Sequence, residues 1–352
     1  KPVELGFRLP AEWDPHDATW IAWPHNRGDW PDKLTPVRWA FVEIARKLAA
    51  SETVRILVNS KAHEVQAQRL LDRAGVPGSR IQFFRIPTDR AWTRDFGPIF
   101  LREDSGGELA VVRFKFNGWA RYDDWRSDDA VAGRVARRLG FRTFSVTRKG
   151  RRFVLEGGSV DANGDGVFLA SEPCLLDNGR QVRNPGVGRG EVESVLGDYL
   201  GAKQILWLGG GMPGDDTNGH VDNFCRFVGP ERVLLCEEAS GRDPKARALE
   251  ENRERLEGQR LNGGSNLDVV RIPVPSPLTL DGHRLPASYT NFYISNGHVL
   301  VPTFNDPKDR IALGILSELF KDREVVGIHA VDLVWGLGGI HCLTREQPKS
   351  RG

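Results

Sequence analysis

A ring of mixed αβ units is the fold class that the sequence predicts, and three observations point to it. Strand-like apolar runs alternate with amphipathic helices along the chain. Segments that read strand, polar turn, apolar strand recur, each followed by a helix and a further strand. One such segment is split between the two ends of the sequence, and pairing its halves would leave no open sheet edge. The alternation by itself also fits an open doubly wound sheet; the split segment is what favours the ring.

Taken in order, residues 37–50 place Val37, Phe41, Ile44, Ala45 and Leu48 on one helical face. The same period recurs at 61–74, 128–139, 189–200, 244–256 and 309–320, and Gly75, Gly140 and Gly201 follow three of these as C-caps. Strand candidates between them are "VRILVNS", "AVVRFKF", "FVLEGGSV", "VFLAS", "QILWL", "RVLLC", "NFYIS", "HVLVPTF" and "EVVGI". The complete hairpin units are "GPIFLREDSGGELAVVRF", "GGSVDANGDGVFLAS", "VDNFCRFVGPERVLLC" and "TNFYISNGHVLVPTF", with turns roughly 60 residues apart, a spacing found in modular arrays. The fifth unit is divided into "IHCLT" and "TWIAWP". No Ser/Gly-rich linker interrupts the series, so one domain over residues 1–352 is expected.

The 352 residues can bury a large core. Lys and Arg number 49 against 47 for Asp and Glu, so no basic field points to nucleic acid or an anionic membrane. Short basic runs such as "RKGRR" at 148–152 read as solvated turns, and no apolar stretch reaches the length of a membrane span. The opening "KPVELGFRLPAEW" has no signal-peptide apolar region. Four cysteines, Cys174, Cys225, Cys236 and Cys342, show neither a CxxC pair nor dense spacing. That argues against a disulfide framework and makes a reducing, cytoplasmic setting the expectation.

Chemistry-bearing side chains fall at one phase of the repeat. Asp95 precedes the first turn in "WTRDFGP", Glu156 the second in "LEGGS", and His220 and Asp222 the third in "NGHVDN"; Cys342 lies in the split unit, in "GGIHCLT". Each is placed in the opening strand of its hairpin, so units related by rotation would bring them to a common centre. A free thiol titrates at about 8.5 and is mostly protonated at neutral pH. Clustered carboxylates raise it further and repel one another, which makes sense only with a cation among them. A guanidinium fits best, being planar, permanently charged and able to meet carboxylates in pairs. Its carbon is an electrophile for a thiolate once the charge is held, and glycines beside the nucleophile, Gly339 among them, would let the backbone approach the substrate.

Plainer readings stand beside these. Cys225 and Cys236, inside strand patterns, read as buried hydrophobes. Asp95 after an arginine could be a surface pair, and Glu156 could satisfy turn amides. "LGGGMPGDD" lacks the lysine of a phosphate loop. His220, Cys342 and the carboxylates could bind zinc, although the adjacent donors His341 and Cys342 lack the usual ligand spacing. Their joint occurrence at one phase favours a shared catalytic pocket.

The motifs "LPAEWDPHDATWIAWP", "WTRDFGP", "FNGW", "LEGGSVDANGDG", "GDDTNGHVDNFCRF", "ASYTNFYISNG" and "IHCLTREQP" together resemble the agmatine deiminase family of the guanidino-group modifying (pentein) superfamily, over nearly the whole chain. The resemblance implies an α/β fold of five αβ units, a propeller with pseudo-fivefold symmetry and the active site on its axis. It implies Cys342 as nucleophile, His220 as general acid/base, Asp95 and Asp222 as holders of the guanidinium, and Glu156 as the residue that orients His220. Trp92 would line the pocket. The implied reaction converts agmatine to N-carbamoylputrescine and ammonia through a covalent thiouronium intermediate, with no cofactor and no metal. A small cationic guanidine is the implied partner; nucleic acid and membrane are not, and a homo-oligomer is compatible.

The chain departs from the family pattern in three places. "GLGGIHC" replaces the common GGGNIHC, Asp215, Asp216 and Thr217 replace a frequent Glu-Asp-Thr, and "FNGWARYDDW" is shorter than usual. All three touch the region expected to meet the substrate's far end. There Asp215, and second to it Asp216, should attract the agmatine ammonium, with few basic residues nearby. The alternative function is a deiminase or amidinotransferase acting on another guanidine, including free or peptidyl arginine. A binding-only member of the superfamily is disfavoured by retention of Cys342, His220, Asp95, Asp222 and Glu156.

Overall fold

The computed structural model describes residues 1–238 and 244–350. Among these residues five sheets share one plan: two strands pair antiparallel, and the second then pairs parallel with a third. Three of them are Val160–Ala162, Val167–Ser171 and Gln204–Leu208; Cys225–Gly229, Arg232–Glu237 and Asp268–Pro273; and Tyr293–Ile294, His298–Thr303 and Glu324–His329. A fourth joins Ile99–Glu103, Leu109–Arg113 and Arg142–Ser145, with Phe7–Arg8 added at its edge. The fifth unites the two ends of the chain. Arg345–Pro348 pairs antiparallel with His16–Ala22, which pairs parallel with Thr53–Val58 and onward to Ile81–Arg85.

A parallel step cannot be made by a tight turn, so each is bridged by a helix. Leu34–Leu48, Lys61–Arg73, Val131–Leu139, Arg189–Leu200, Pro244–Leu256 and Lys308–Leu319 supply these crossovers. Leu34–Leu48 buries Val37, Phe41, Val42, Ile44, Ala45 and Leu48, the stripe expected of a helix lying on a core. Gly140 and Gly201 end two helices in the left-handed conformation, at φ 76° and 83°. The apolar interior falls into two clusters. One gathers Trp20, Phe41, Phe227, Tyr293 and Leu300, the other Phe7, Leu101, Phe168 and Leu196. No helix among the described residues is long and apolar enough to cross a membrane.

Three expectations need correction. The split unit does pair, but the five sheets remain separate rather than merging into one edgeless sheet. The helix expected at 128–139 is broken into Arg126–Asp129 and Val131–Leu139. Asp128 and Asp129 turn their carboxylates outward to accept the backbone N–H groups of Asp89 and Phe116. "FVLEGGSV" is not one strand: Val154 makes an isolated bridge to Lys115, the strand begins at Val160, and between them Gly157–Ser159 is a tight helical turn, closed by the Ser159 hydroxyl donating to the Glu156 carbonyl at 2.5 Å.

Candidate active site

Short helical turns, not strands, carry the candidate residues. Asp95 lies in Thr93–Phe96, Glu156 caps Gly157–Ser159, His220 caps Val221–Asn223 with Asp222 inside it, and Cys342 lies in His341–Leu343. Each turn immediately precedes the first strand of its sheet. A strand residue would point to one face of its own sheet, whereas a turn ahead of the strand lets the side chain reach its neighbours. Three of them meet over Gly158. A Cβ at that position would lie 2.6 Å from His220 Nδ1, 2.9 Å from Asp95 Oδ1 and 3.0 Å from Asp222 Oδ2. Only glycine leaves room for this convergence, and all of these side chains are buried.

Cys342 Sγ lies 3.8 Å from Asp222 Oδ2 and accepts a hydrogen bond from Asn291 Nδ2 at 3.2 Å. Asn291 Oδ1 accepts the backbone N–H groups of His341 and Cys342 at 3.0 and 3.3 Å, so one amide fixes both the turn and the sulfur. Burial, with Asp222 and Asp95 close by, pushes the Cys342 thiol well above its usual range. A pocket without a cation therefore keeps the thiol protonated.

His220 has no hydrogen-bond partner on either ring nitrogen among the described residues. Its Nδ1 faces Asp95 Oδ1 at 3.7 Å and its Nε2 faces Glu156 Oε2 at 3.6 Å. Burial opposes its charged form, but Asp95, the Cys174 thiol and Glu156 outweigh that and raise it well above the usual imidazole range. Glu156 is itself gripped by Arg183, whose Nε lies 3.3 Å from each carboxylate oxygen. Despite burial, Arg183 and His220 hold Glu156 below the usual carboxylate range. Asp95 accepts from Trp119 Nε1 at 2.9 Å and from the Gly158 N–H at 3.0 Å. Burial raises Asp95, and His220 only partly counters this. Ligand atoms of Glu156, Cys174 and His220 lie within 4.8 Å of one another, a spacing a metal ion could bridge. The Arg183 guanidinium on both Glu156 oxygens puts a fixed cation there instead, so the donor set does not suit a second one.

A narrow cavity of about 30 Å³ reaches Cys342 between Trp92, Asp95, Trp119, Asp216, Leu337 and Gly338. Arg90, Tyr122, Asp216, Gly336 and Leu337 are shared with an outer cavity of about 620 Å³. Trp92 lies on this wall. At Gly339 a Cβ would lie 2.5 Å from Asn291 Oδ1, so its smallness admits the Asn291 amide. Gly338 likewise makes room for Trp92, whose Cζ3 would lie 2.5 Å from an added Cβ.

Both expected rim carboxylates, Asp215 and Asp216, line the outer cavity. Asp215 closes its own turn, accepting from Thr217 N at 2.9 Å, Thr217 Oγ1 at 2.6 Å and Gly219 N at 2.7 Å. Asp216 walls both cavities and accepts the Tyr122 hydroxyl at 2.7 Å. The rim is also more basic than expected, because Arg90, Arg121 and Arg284 line the outer cavity. Arg90 is neutralised by Asp29 and Asp124 and lies 4.3 Å over the Tyr122 ring.

Sequence reasoning gave no role to Asn291, Arg183 or Trp119, and weighed His341 only as a zinc donor. Asn291 stands just ahead of Tyr293–Ile294, the phase that marked the other residues, so the repeat could have found it. Trp119 belongs to the quoted "FNGW", but its contact with Asp95 depends on a backbone turned to φ 57° at Trp119.

A buried thiol hydrogen-bonded by an amide, an imidazole between Asp95 and Glu156, and the buried Asp222 beside the thiol form one constellation. Residues 8–348 match the family described as Porphyromonas-type peptidyl-arginine deiminase. The chain belongs to this family. Agmatine deiminase of Pseudomonas aeruginosa (strain LESB58) is 36% identical over 376 aligned residues, covering 99% of this chain and 98% of that protein. The agmatine deiminase of Stutzerimonas stutzeri (strain A1501) is also 36% identical, over 99% of this chain and 97% of the relative. Among solved structures, agmatine deiminase of Enterococcus faecalis superposes with a TM-score of 0.90 at 31% identity, covering 99% of this chain and 98% of that one. A substrate-bound cysteine-to-serine variant of the C. jejuni agmatine deiminase gives 0.86 at 26% identity, with 98% and 97% covered. An amidinotransferase from Microseira wollei, at 12% identity and a TM-score of 0.53, shares the fold alone.

Proposed function

We propose that this protein hydrolyses agmatine to N-carbamoylputrescine and ammonia, using a single domain whose five sheets form a five-unit αβ propeller with pseudo-fivefold symmetry. The observation that carries the activity is the meeting of His220, Asp95 and Asp222 over Gly158, with Cys342 beside Asp222 at the end of a narrow cavity. The family's agmatine deiminases, matched over nearly their full length, support the same substrate. The four free, buried cysteines agree with a cytoplasmic setting.

In this reading the guanidinium sits between Asp95 and Asp222, and its charge offsets the carboxylates that hold the Cys342 thiol protonated. As it binds, the thiol releases its proton to solvent through the cavity, and the resulting thiolate attacks the guanidine carbon. His220, protonated in the field of Asp95 and Glu156, gives its proton to the departing ammonia, leaving a thiouronium on Cys342. A water then adds to that carbon as His220 takes its proton, and the ureido product leaves as the thiol is restored. Trp92 and Trp119 wall the alkyl chain, and Asp216 faces the distal ammonium where the two cavities join. Ammonia release from purified protein with agmatine, and a product mass matching the ureido compound, test the proposal. Turnover of another guanidine in preference to agmatine would replace the substrate.

A further inference from the structure

Immediately before the nucleophile, His341 is buried and makes two close contacts. Its Nε2 lies 2.8 Å from Glu12 Oε2 and its Nδ1 lies 2.6 Å from Asp222 Oδ2. An ionised carboxylate only accepts hydrogen bonds, so a ring nitrogen facing one must carry a proton. Glu12 is committed to the ionised form: Arg94 Nη2, Arg226 Nη2 and the Ile294 N–H each reach it at 2.9 Å. Burial opposes that charge, but Arg226, His341 and Arg94 hold Glu12 well below the usual range. Asp222 is also held below its usual range, with His341 the leading counterweight to burial. With acceptors on both sides, both ring nitrogens donate.

We propose that His341 is a positioning residue: an imidazolium clamped between Glu12 and Asp222 that keeps Asp222 ionised and leaves its second oxygen for the guanidinium. The inference rests on the guanidine-hydrolase reading above. Asp222 Oδ2 is occupied by the ring, while Oδ1 is buried and has no partner among the described residues. The other groups that act on Asp222 cannot replace His341. His220 is directed at Asp95 and Glu156, Arg226 at Glu12 and Asp161, and Arg94 at Glu12 and Glu346. Asp95 and the Cys342 thiol add only repulsion or neutrality. Without the imidazolium, burial would dominate and Asp222 would take up a proton at higher pH. A protonated Asp222 cannot balance a guanidinium.

His341→Gln tests this, because glutamine supplies no charge and can donate to only one of the two carboxylates. Asp222 would then titrate higher, so the acid limb of kcat/KM for agmatine moves up by about one to three pH units. The loss lies mainly in KM and recovers as pH rises. A merely structural role would lower Tm and leave the limb where the wild type has it, and that result overturns the proposal. A fold-independent measurement uses the wild-type protein with 15N-labelled histidine, without substrate, at neutral pH. Two protonated ring nitrogens on His341 are expected; one bare nitrogen overturns the clamp even if His341→Gln does not fold. That spectrum involves no turnover, so it stands apart from the ammonia-release assay that tests the deiminase reading.

Discussion

His220 and His341 both lie close to Asp222 and are both buried, and the protein treats them in opposite ways. His341 has a carboxylate oxygen within 2.8 Å of each ring nitrogen. Among the described residues His220 has its nearest carboxylate oxygens at 3.6 and 3.7 Å and no hydrogen bond on either nitrogen. A ring bonded at both ends cannot exchange a proton without breaking two ion pairs. A ring held by charge at a distance keeps its positive form favoured yet can hand the proton to a substrate. On the proposed reading, the difference separates a residue that fixes the electrostatics from one that moves a proton, although both are histidines in the same cluster.

The largest expected effect lies at the group both histidines serve. Cys342→Ser should lose ammonia release by on the order of 10⁴-fold or more while remaining folded. Cys225→Ser, in a strand of the core, should lower Tm and spare turnover. In the ligand-free protein the Cys342 thiol titrates above its ordinary range, so alkylation by iodoacetamide should be slow at neutral pH and accelerate as pH rises.

His220→Asn should lower kcat by about 10²- to 10⁴-fold, the range for loss of a general acid/base. Unlike His341→Gln, it should not regain activity at higher pH. Recovery of His220→Asn by raising pH would erase the distinction between the two rings.

Next comes the charge of the empty pocket. In Cys342→Ser, agmatine at 100 times its Kd should stabilise the fold by about 2.7 kcal/mol. The neutral ureido product should give a much smaller thermal shift, and equal shifts would contradict charge recognition. The smallest effect is at the rim. Agmatine should exceed arginine in kcat/KM by more than about tenfold, roughly 1.4 kcal/mol in transition-state binding. Asp216→Asn should erode that preference, while Asp215→Asn should act mainly on Tm through the turn it closes.

The helices and hairpins were legible because their apolar residues repeat with the period of the element, and residues 189–200 match the observed Arg189–Leu200. The phase of Asp95, Glu156, Asp222 and Cys342 was legible for the same reason: each stands just ahead of a periodic strand. Their conformation was not, since glycine-rich segments such as "LEGGS" carry no period and take their shape from neighbouring turns. Asn291 shares the phase but has no titratable group, so a search for acids and bases passes over it. The clamp on His341 joins Glu12 to the far end of the sequence, and periodicity contains no information about which distant charges pair. Both Asp215 and Asp216 line the outer cavity and Asp216 alone of the two reaches the inner one, a difference that sequence spacing does not carry.

The sheet that unites His16–Ala22 with Arg345–Pro348 also orders events during synthesis. Thr53–Val58 can cover one edge of the early strand soon after it emerges, but the other edge has no partner until the nucleophile turn itself has been made. At about 5–20 residues per second, that edge stays open for roughly a quarter of a minute to a minute. An unpaired edge flanked by Trp20 and Ile21 is a template for association with other chains over that interval. Newborn copies of this chain should therefore depend on low local concentration or a chaperone until Arg345–Pro348 has emerged, and the step that seals the edge is the one that delivers Cys342 to the site.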